Sequence, residues 1–180
     1  MTITLNNSET NEIIGTRVTN SDGGYEFCGL NAGNYAIVET NPVSFLDVSD
    51  VSGDNFDSTI AVKLSTAEQK TDQDFVDEMM RKIDGQVLEV TDNDGDNAIA
   101  GVTIELFTPG GILVDTTFTD ATGNFTFTVP PGIYVLRETT PPGFVDVADS
   151  DGGNPNMIDV VDVSTRDINE NTFFEKIPTN

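Results

Sequence analysis

The chain has 180 residues, with 8 Lys+Arg against 31 Asp+Glu for a net charge of −23, no His, no Trp and one Cys. Such acidity repels DNA, RNA and anionic lipid and excludes a nucleic-acid partner. The missing histidines remove His-based triads and nearly all zinc sites, and a lone Cys closes no internal disulfide.

An apolar share of 37% is low but enough for packed cores. No apolar run approaches the roughly 18–20 residues a membrane helix needs, so no direct membrane insertion is expected. The opening residues carry neither the basic nor the apolar region of a signal peptide, so an exported protein would be represented here by a mature or cropped piece.

Taken in chain order, the elements come in two matching sets. Thr2-Ile3-Thr4-Leu5 is matched by Thr103-Ile104-Glu105-Leu106, and the stretch from Thr19 through Gly23 to Tyr25-Glu26-Phe27 by Thr119 through Gly123 to Phe125-Thr126-Phe127. Gly33-Asn34-Tyr35 to Glu39-Thr40 pairs with Gly132-Ile133-Tyr134 to Glu138-Thr139, and Phe45-Leu46-Asp47 with Phe144-Val145-Asp146. Asp74-Phe75-Val76-Asp77 meets Thr172-Phe173-Phe174-Glu175. The offset drifts only from about 101 to 98, the mark of a tandem repeat.

Val102, Ile104 and Leu106 alternate with polar residues, as do Phe125, Phe127 and Val129. That period of two predicts half-buried antiparallel strands in both copies, with Cys28 as a small strand residue. Gly- and Pro-rich turn clusters between the strands favour sandwiches. Residues 66–82 are the one stretch with a helical option, and no substantial helix is expected. The expected domains are 1–79 and 80–180, joined by a short link near 78–82 that would restrict bending. The second copy opens with Ile83-Asp84-Gly85-Gln86-Val87, which the first lacks, so the first sandwich is expected without its own first strand.

Gly85-Gln86-Val87, the acidic run Asp92-Asn93-Asp94-Gly95-Asp96 and Gly101-Val102-Thr103-Ile104 resemble the opening of SdrD B-like repeats of surface adhesins. These repeats are related to the collagen-adhesin B-type (prealbumin-like) domains. The later blocks continue the pattern over nearly the whole chain. The resemblance implies an all-β fold of tandem seven-stranded immunoglobulin-like sandwiches, an extracellular stalk role and calcium in acidic loops. Some relatives carry a Lys–Asn isopeptide bond promoted by a buried acid. Glu39 and Glu138 would fill that role, with Lys82 or Lys176 as amine and Asn169 or Asn171 as acceptor.

The acidic loops are the candidate metal sites: Asp92, Asp94, Asp96 and Asp120; Asp146, Asp149, Asp151 and Asn154; and, in the first copy, Asp47, Asp50, Asp54 and Asp57. Carboxylate oxygens are hard ligands suited to Ca²⁺, and no imidazole or thiolate cluster invites a softer metal. Two carboxylates about 4 Å apart repel by roughly 4 kcal/mol at an effective dielectric near 20, which a divalent ion relieves. Solvated turn residues capping their own backbone are the alternative.

Nothing in the pattern suggests an enzyme. Two functional classes stay open. One is an extracellular, calcium-stabilised structural spacer or filament segment whose partners are neighbouring copies or repeats that donate a strand to the incomplete sandwich. The other is an adhesin module binding a glycan or protein ligand, against which stands the lack of an evident exposed aromatic patch.

Overall fold

The period-two alternation becomes strand after strand, and no helix occurs among the described residues. A computed structural model describes residues 1–52, 57–91 and 95–178. The chain divides into two compact units, Met1–Met79 and Met80–Asn180. The 66–82 stretch turns at Thr66-Ala67 and contains no helix.

The first unit contains β1 (Thr2–Asn7), β2 (Ile13–Val18), β3 (Gly33–Thr40), β4 (Phe45–Asp50), β5 (Thr59–Leu64) and β6 (Phe75–Met79). One sheet runs β2-β1-β3-β5, and β4 pairs with β6 alone. Ile3 and Leu5 from β1, Tyr35 and Ile37 from β3, and Ile60 from β5 form the buried core.

The second unit contains β7 (Arg81–Glu89), β8 (Asn97–Ala98), β9 (Thr103–Phe107), β10 (Leu113–Phe118), β11 (Asn124–Val129), β12 (Ile133–Thr139), β13 (Val145–Asp149), β14 (Met157–Asp162) and β15 (Ile168–Lys176). Its sheets run β10-β9-β12-β14 and β11-β7-β15-β13, with the short β8 on β7. The pairing of β15 with β7 is parallel, and the other ladders are antiparallel.

The repeat is visible in detail. Tyr35 donates its hydroxyl to the Asn31 carbonyl and Tyr134 to the Pro130 carbonyl, each at 2.8 Å. Asn20 Oδ1 accepts from the Asp22 and Gly24 amides, as Asp120 Oδ1 does from Thr122 and Asn124. Gly123, at φ +74°, closes that turn where an added Cβ would stand 2.8 Å from the Val87 carbonyl oxygen.

The units differ where the sequence pattern does. In the second, Ile83 and Val87 of β7 are sealed against Phe125, Phe127 and Phe173. Gly85 is needed there for space: a Cβ would meet the Asn171 carbonyl oxygen at 2.3 Å and Phe125 Cζ at 2.4 Å. The first unit has no counterpart of β7 among its described residues. Its Tyr25-Glu26-Phe27-Cys28 stretch, expected as a strand, lies outside any strand. With no neighbour to ladder against, its backbone has no reason to stay in register. Among the described residues, five buried hydrophobic side chains form the first core against fourteen in the second, so the first is only partly roofed.

A further difference from expectation is an exposed apolar edge. On β10, Leu113, Val114 and the 62%-exposed Phe118 face solvent, with Ile112 beside them.

Phe127→Ala is expected to cost about 3–5 kcal/mol, the range for a fully buried aromatic. The half-covered Phe27→Ala should cost clearly less. Denaturant unfolding of both variants checks the contrast; equal losses would contradict the partly roofed core.

Candidate functional site

Alternation carries carboxyl groups inward. On β3, Tyr35, Ile37 and Glu39 share the buried face, and on β12, Tyr134, Leu136 and Glu138 do. Across from them, Asp47 of β4 pairs in register with Asp77 of β6, and Asp146 of β13 with Glu175 of β15. Each sandwich therefore holds an acidic trio at the same topological place. Glu39 is 5% exposed, Glu138 6% and Glu175 0%.

In the first unit, one carboxyl oxygen from each of Glu39, Asp47 and Asp77 lies within 4.8 Å of the others. The second unit's trio does not close to that span, although Glu138, Asp146 and Glu175 feel one another's charge. Asp47 is oriented by the Asn41 amide (2.5 Å) and the Ser58 hydroxyl, and Asp146 by the Thr140 hydroxyl (2.6 Å) and the Asn156 amide (2.9 Å). The remaining oxygens have no hydrogen-bond donor: Glu39 Oε2, Asp77 Oδ1, both carboxyl oxygens of Glu138 and Glu175, and the amide oxygens of Asn41 and Asn156.

Burial pushes the Glu39 carboxyl up to about 7, helped by Asp77 and Asp47. Burial and then Asp47 raise Asp77. Glu138 and Glu175 both titrate well above the usual carboxylate range, first because they are buried and then because acids face them. No lysine or arginine figures among the charges that shift these groups; in the first unit the Met1 amine opposes the rise. The donor set is hard oxygen throughout, and its orphaned buried acceptors fit a hard divalent cation such as Ca²⁺. In its absence, retained protons relieve the repulsion.

The other expected ligands are placed differently. Asp92, Asp94 and Asp54 lie outside the described residues, and Asp96 is exposed. Asp120 caps its turn, and hydrogen bonds from Thr122 and Asn124 hold its carboxyl low. Asp149 accepts from the Asp151 and Gly152 amides, and burial raises it while its second oxygen has no donor. Asp151 accepts from Gly153 and Asp159, bonds that outweigh its burial and keep it low. Asn154 accepts from the Asn156 amide at 3.3 Å. Asp50 accepts from Ser52, with its other oxygen buried and unmet, and Asp57 accepts from the Thr59 amide. Of the sequence candidates, Asp47 and Asp146 belong to the trios.

Asp77 and Glu175 were missed, although each is two residues after an inward aromatic, Phe75 or Phe173. That parity was the available signal. The isopeptide arrangement is not assembled at Glu138: its charged neighbours are acids, Lys82 is exposed, and Asn171 donates its amide to the Asp84 carbonyl.

A second feature is confined to the first unit. A cleft of about 750 Å³ opens between residues 23–30 and 68–74, floored by Leu5, Ile37, Val62 and Leu64. It is the place that β7 fills in the second unit. Tyr25 reaches across it and donates its hydroxyl to the Gln73 carbonyl.

Residues 83–176 match the model of the SdrD B-like domain, just over half of the chain. The chain is 30% identical over 161 residues to serine-aspartate repeat-containing protein F of Staphylococcus epidermidis, covering 83% of this chain and 10% of that protein. It is 34% identical over 157 residues to Colossin-A of Dictyostelium discoideum, covering 83% of this chain and 1% of that protein. Thus it spans a small part of the curated relatives it matches. Among solved structures, the Bacillus anthracis TIE protein aligns over 97% of this chain and 30% of its own, at 19% identity and a TM-score of 0.45. GBS52, the minor pilin of Streptococcus agalactiae, aligns over 99% and 83%, at 17% identity and a TM-score of 0.45.

The pKa directions set the stability profile of the metal-free protein. Between about 4.5 and 7 the unfolded chain has lost the proton that folded Glu39 keeps, so stability falls as pH rises through that window, and Glu138 and Glu175 act in the same sense. Asp120 and Asp151 are lowered, so their contribution is present above the ordinary carboxylate range and lost below it. Thermal unfolding in EDTA should therefore be highest near about pH 4–5. Glu39→Gln with Glu138→Gln should flatten the fall toward pH 8, and an unchanged fall would contradict this origin.

Proposed function

Because the chain belongs to the SdrD B-like domain family, a non-catalytic all-β module of extracellular surface proteins, we propose that it is a calcium-stabilised spacer segment of a surface adhesin or filament. In this reading it is built from two repeat modules, 1–79 and 80–180. The observation that carries this reading is the acidic trio at the same register in both units, with buried carboxyl oxygens that lack donors. Calcium bound by Glu39, Asp47 and Asp77, and by Glu138, Asp146 and Glu175, replaces protons and ties one sheet to the other within each sandwich. The loop acids Asp92, Asp94, Asp96, Asp149 and Asp151 supply further, weaker sites.

The same proposal includes strand complementation. The first sandwich offers a cleft where its sister has a strand, and an extended segment from a neighbouring repeat fits such a place by backbone pairing. Donation from unit to unit extends a filament.

A second reading, an adhesin module gripping a glycan or protein, draws on the exposed Leu113, Val114 and Phe118 of β10. Ligand capture by the intact chain that Phe118→Ser abolishes would favour it.

Calcium at ten times its Kd adds about 1.4 kcal/mol per site, which corresponds to a melting shift of roughly 5–10 °C in a module this small. Glu39→Gln removes a buried charge and should raise the first unit's metal-free melting at pH 8, while abolishing its calcium increment. A variant that keeps the full increment would overturn the assignment of Glu39.

A further inference from the structure

Each trio has one member held at both of its carboxyl oxygens. Asp47 Oδ1 accepts from the Asn41 amide and Oδ2 from the Ser58 hydroxyl, whereas Asp146 Oδ1 accepts from the Thr140 hydroxyl and Oδ2 from the Asn156 amide. The holders occupy matching places. Asn41 and Thr140 each precede a proline, Pro42 or Pro141, whose carbonyl accepts from the Phe45 or Phe144 amide. The backbone carbonyls of Ser58 and Asn156 accept from the amides of Glu39 and Glu138. Both sites therefore use one hydroxyl and one side-chain amide, with the two exchanged between flanks.

A hydroxyl suffices to hold the aspartate, as Ser58 and Thr140 do, so the amide in each pair brings something more. What it adds is a carbonyl oxygen. The orientation of the amide is set by its partner: turned around, it would press oxygen against a carboxylate oxygen. With nitrogen on the aspartate, Asn41 Oδ1 and Asn156 Oδ1 are both buried and have no donor. The Asn41 amide also reaches Asp77, where it opposes the rise that burial and Asp47 impose on that carboxyl.

These oxygens join others in the same condition. Glu39 Oε2 and Asp77 Oδ1 in the first unit, and both carboxyl oxygens of Glu138 and Glu175 in the second, are buried without a donor. Glu39, Glu138 and Glu175 are themselves more than nine-tenths buried. Acceptors gathered in this way each bear the cost of lost hydration, and a cation is what they share a need for. Calcium takes roughly six to eight oxygens, asparagine carbonyls among them. A neutral oxygen fills one of those places without adding to the repulsion among three carboxylates.

We propose, building on the calcium reading above, that the side-chain carbonyls of Asn41 and Asn156 are the neutral ligands of the two sites, and that amide and hydroxyl are interchangeable between the flanks. The amide has two tasks: its nitrogen orients the aspartate and its oxygen meets the ion. The hydroxyl opposite only orients.

The test uses the 180-residue chain with Glu138→Gln, which silences the second trio, and calorimetric titration with calcium alone. Asn41→Thr installs the second unit's residue, keeping a donor to Asp47 while removing the carbonyl. It should weaken the tight site at least about tenfold and leave the melting temperature in EDTA close to the parent's. Adding Ser58→Asn, which moves the amide to the other flank, should restore most of the affinity; Ser58 has a φ of 51°, a conformation that asparagine accepts. In a Glu39→Gln chain, Asn156→Ser alone and then with Thr140→Asn should behave in the same way. The unaltered protein supplies an independent readout: the side-chain carbonyl ¹³C resonances of Asn41 and Asn156 should move on calcium addition, and by more than that of the exposed Asn34.

Undiminished binding by Asn41→Thr, no recovery in the double variant, or unmoved Asn41 and Asn156 carbonyls would each overturn the amide ligand. The calcium reading survives that failure if adding Glu39→Gln to the Glu138→Gln chain removes the tight site. If it leaves the isotherm unchanged, the trio itself is not where calcium binds, and the fault lies with that reading.

Discussion

Carboxyl groups placed on the inward face of a sandwich, shifted by burial and by one another rather than by any lysine or arginine, are the constraint around which this molecule is organised. Glu39 and Glu138 follow Ile37 and Leu136 at the same parity, so the strand geometry that buries the isoleucine and leucine also buries the acids. Asp47–Asp77 and Asp146–Glu175 are register pairs on the opposing sheet. A buried ion without a partner costs several kcal/mol, so each trio must hold protons or a cation. A fold that keeps this arrangement in both repeats ties its stability to what occupies the trio.

The second organising fact is that one strand does two jobs. In the second unit β7 supplies Ile83 and Val87 to the core and bridges β11 and β15 by hydrogen bonds. Where it has no counterpart, the aromatic segment beside it leaves strand geometry and the core opens into a cleft. Packing and backbone pairing fail together, because both depended on the same nine-residue element.

Much of this was legible in the sequence. The tandem repeat, the all-β class and the incomplete first sandwich follow from matched blocks and period-two alternation. The inward carboxyls were half legible: Asp47, Asp146, Glu39 and Glu138 were singled out, but as loop ligands or cross-link promoters rather than as members of a trio. Asp77 and Glu175 share the inward parity of Phe75 and Phe173, which shows only once the buried face of β6 and β15 is assigned. The turn acids differ from the inward ones for a physical reason. An Asp at a tight turn satisfies its oxygens with nearby amides, as Asp120 and Asp151 do, and a carboxylate served in this way has less need of an ion. Strand status at 24–29 could not be read locally, since in the matching segment β11 it depends on pairing with β7, distant in sequence.

The most direct test of the central claim is the number of protons released when calcium binds at pH 7, obtained by calorimetry in buffers of different ionisation enthalpy. Carboxyl groups raised to this range must give up their protons to accept the ion, so the account predicts release of about one proton or more per calcium bound. Binding with no proton release, or no binding at millimolar calcium, would show that the buried trios are not where the metal goes.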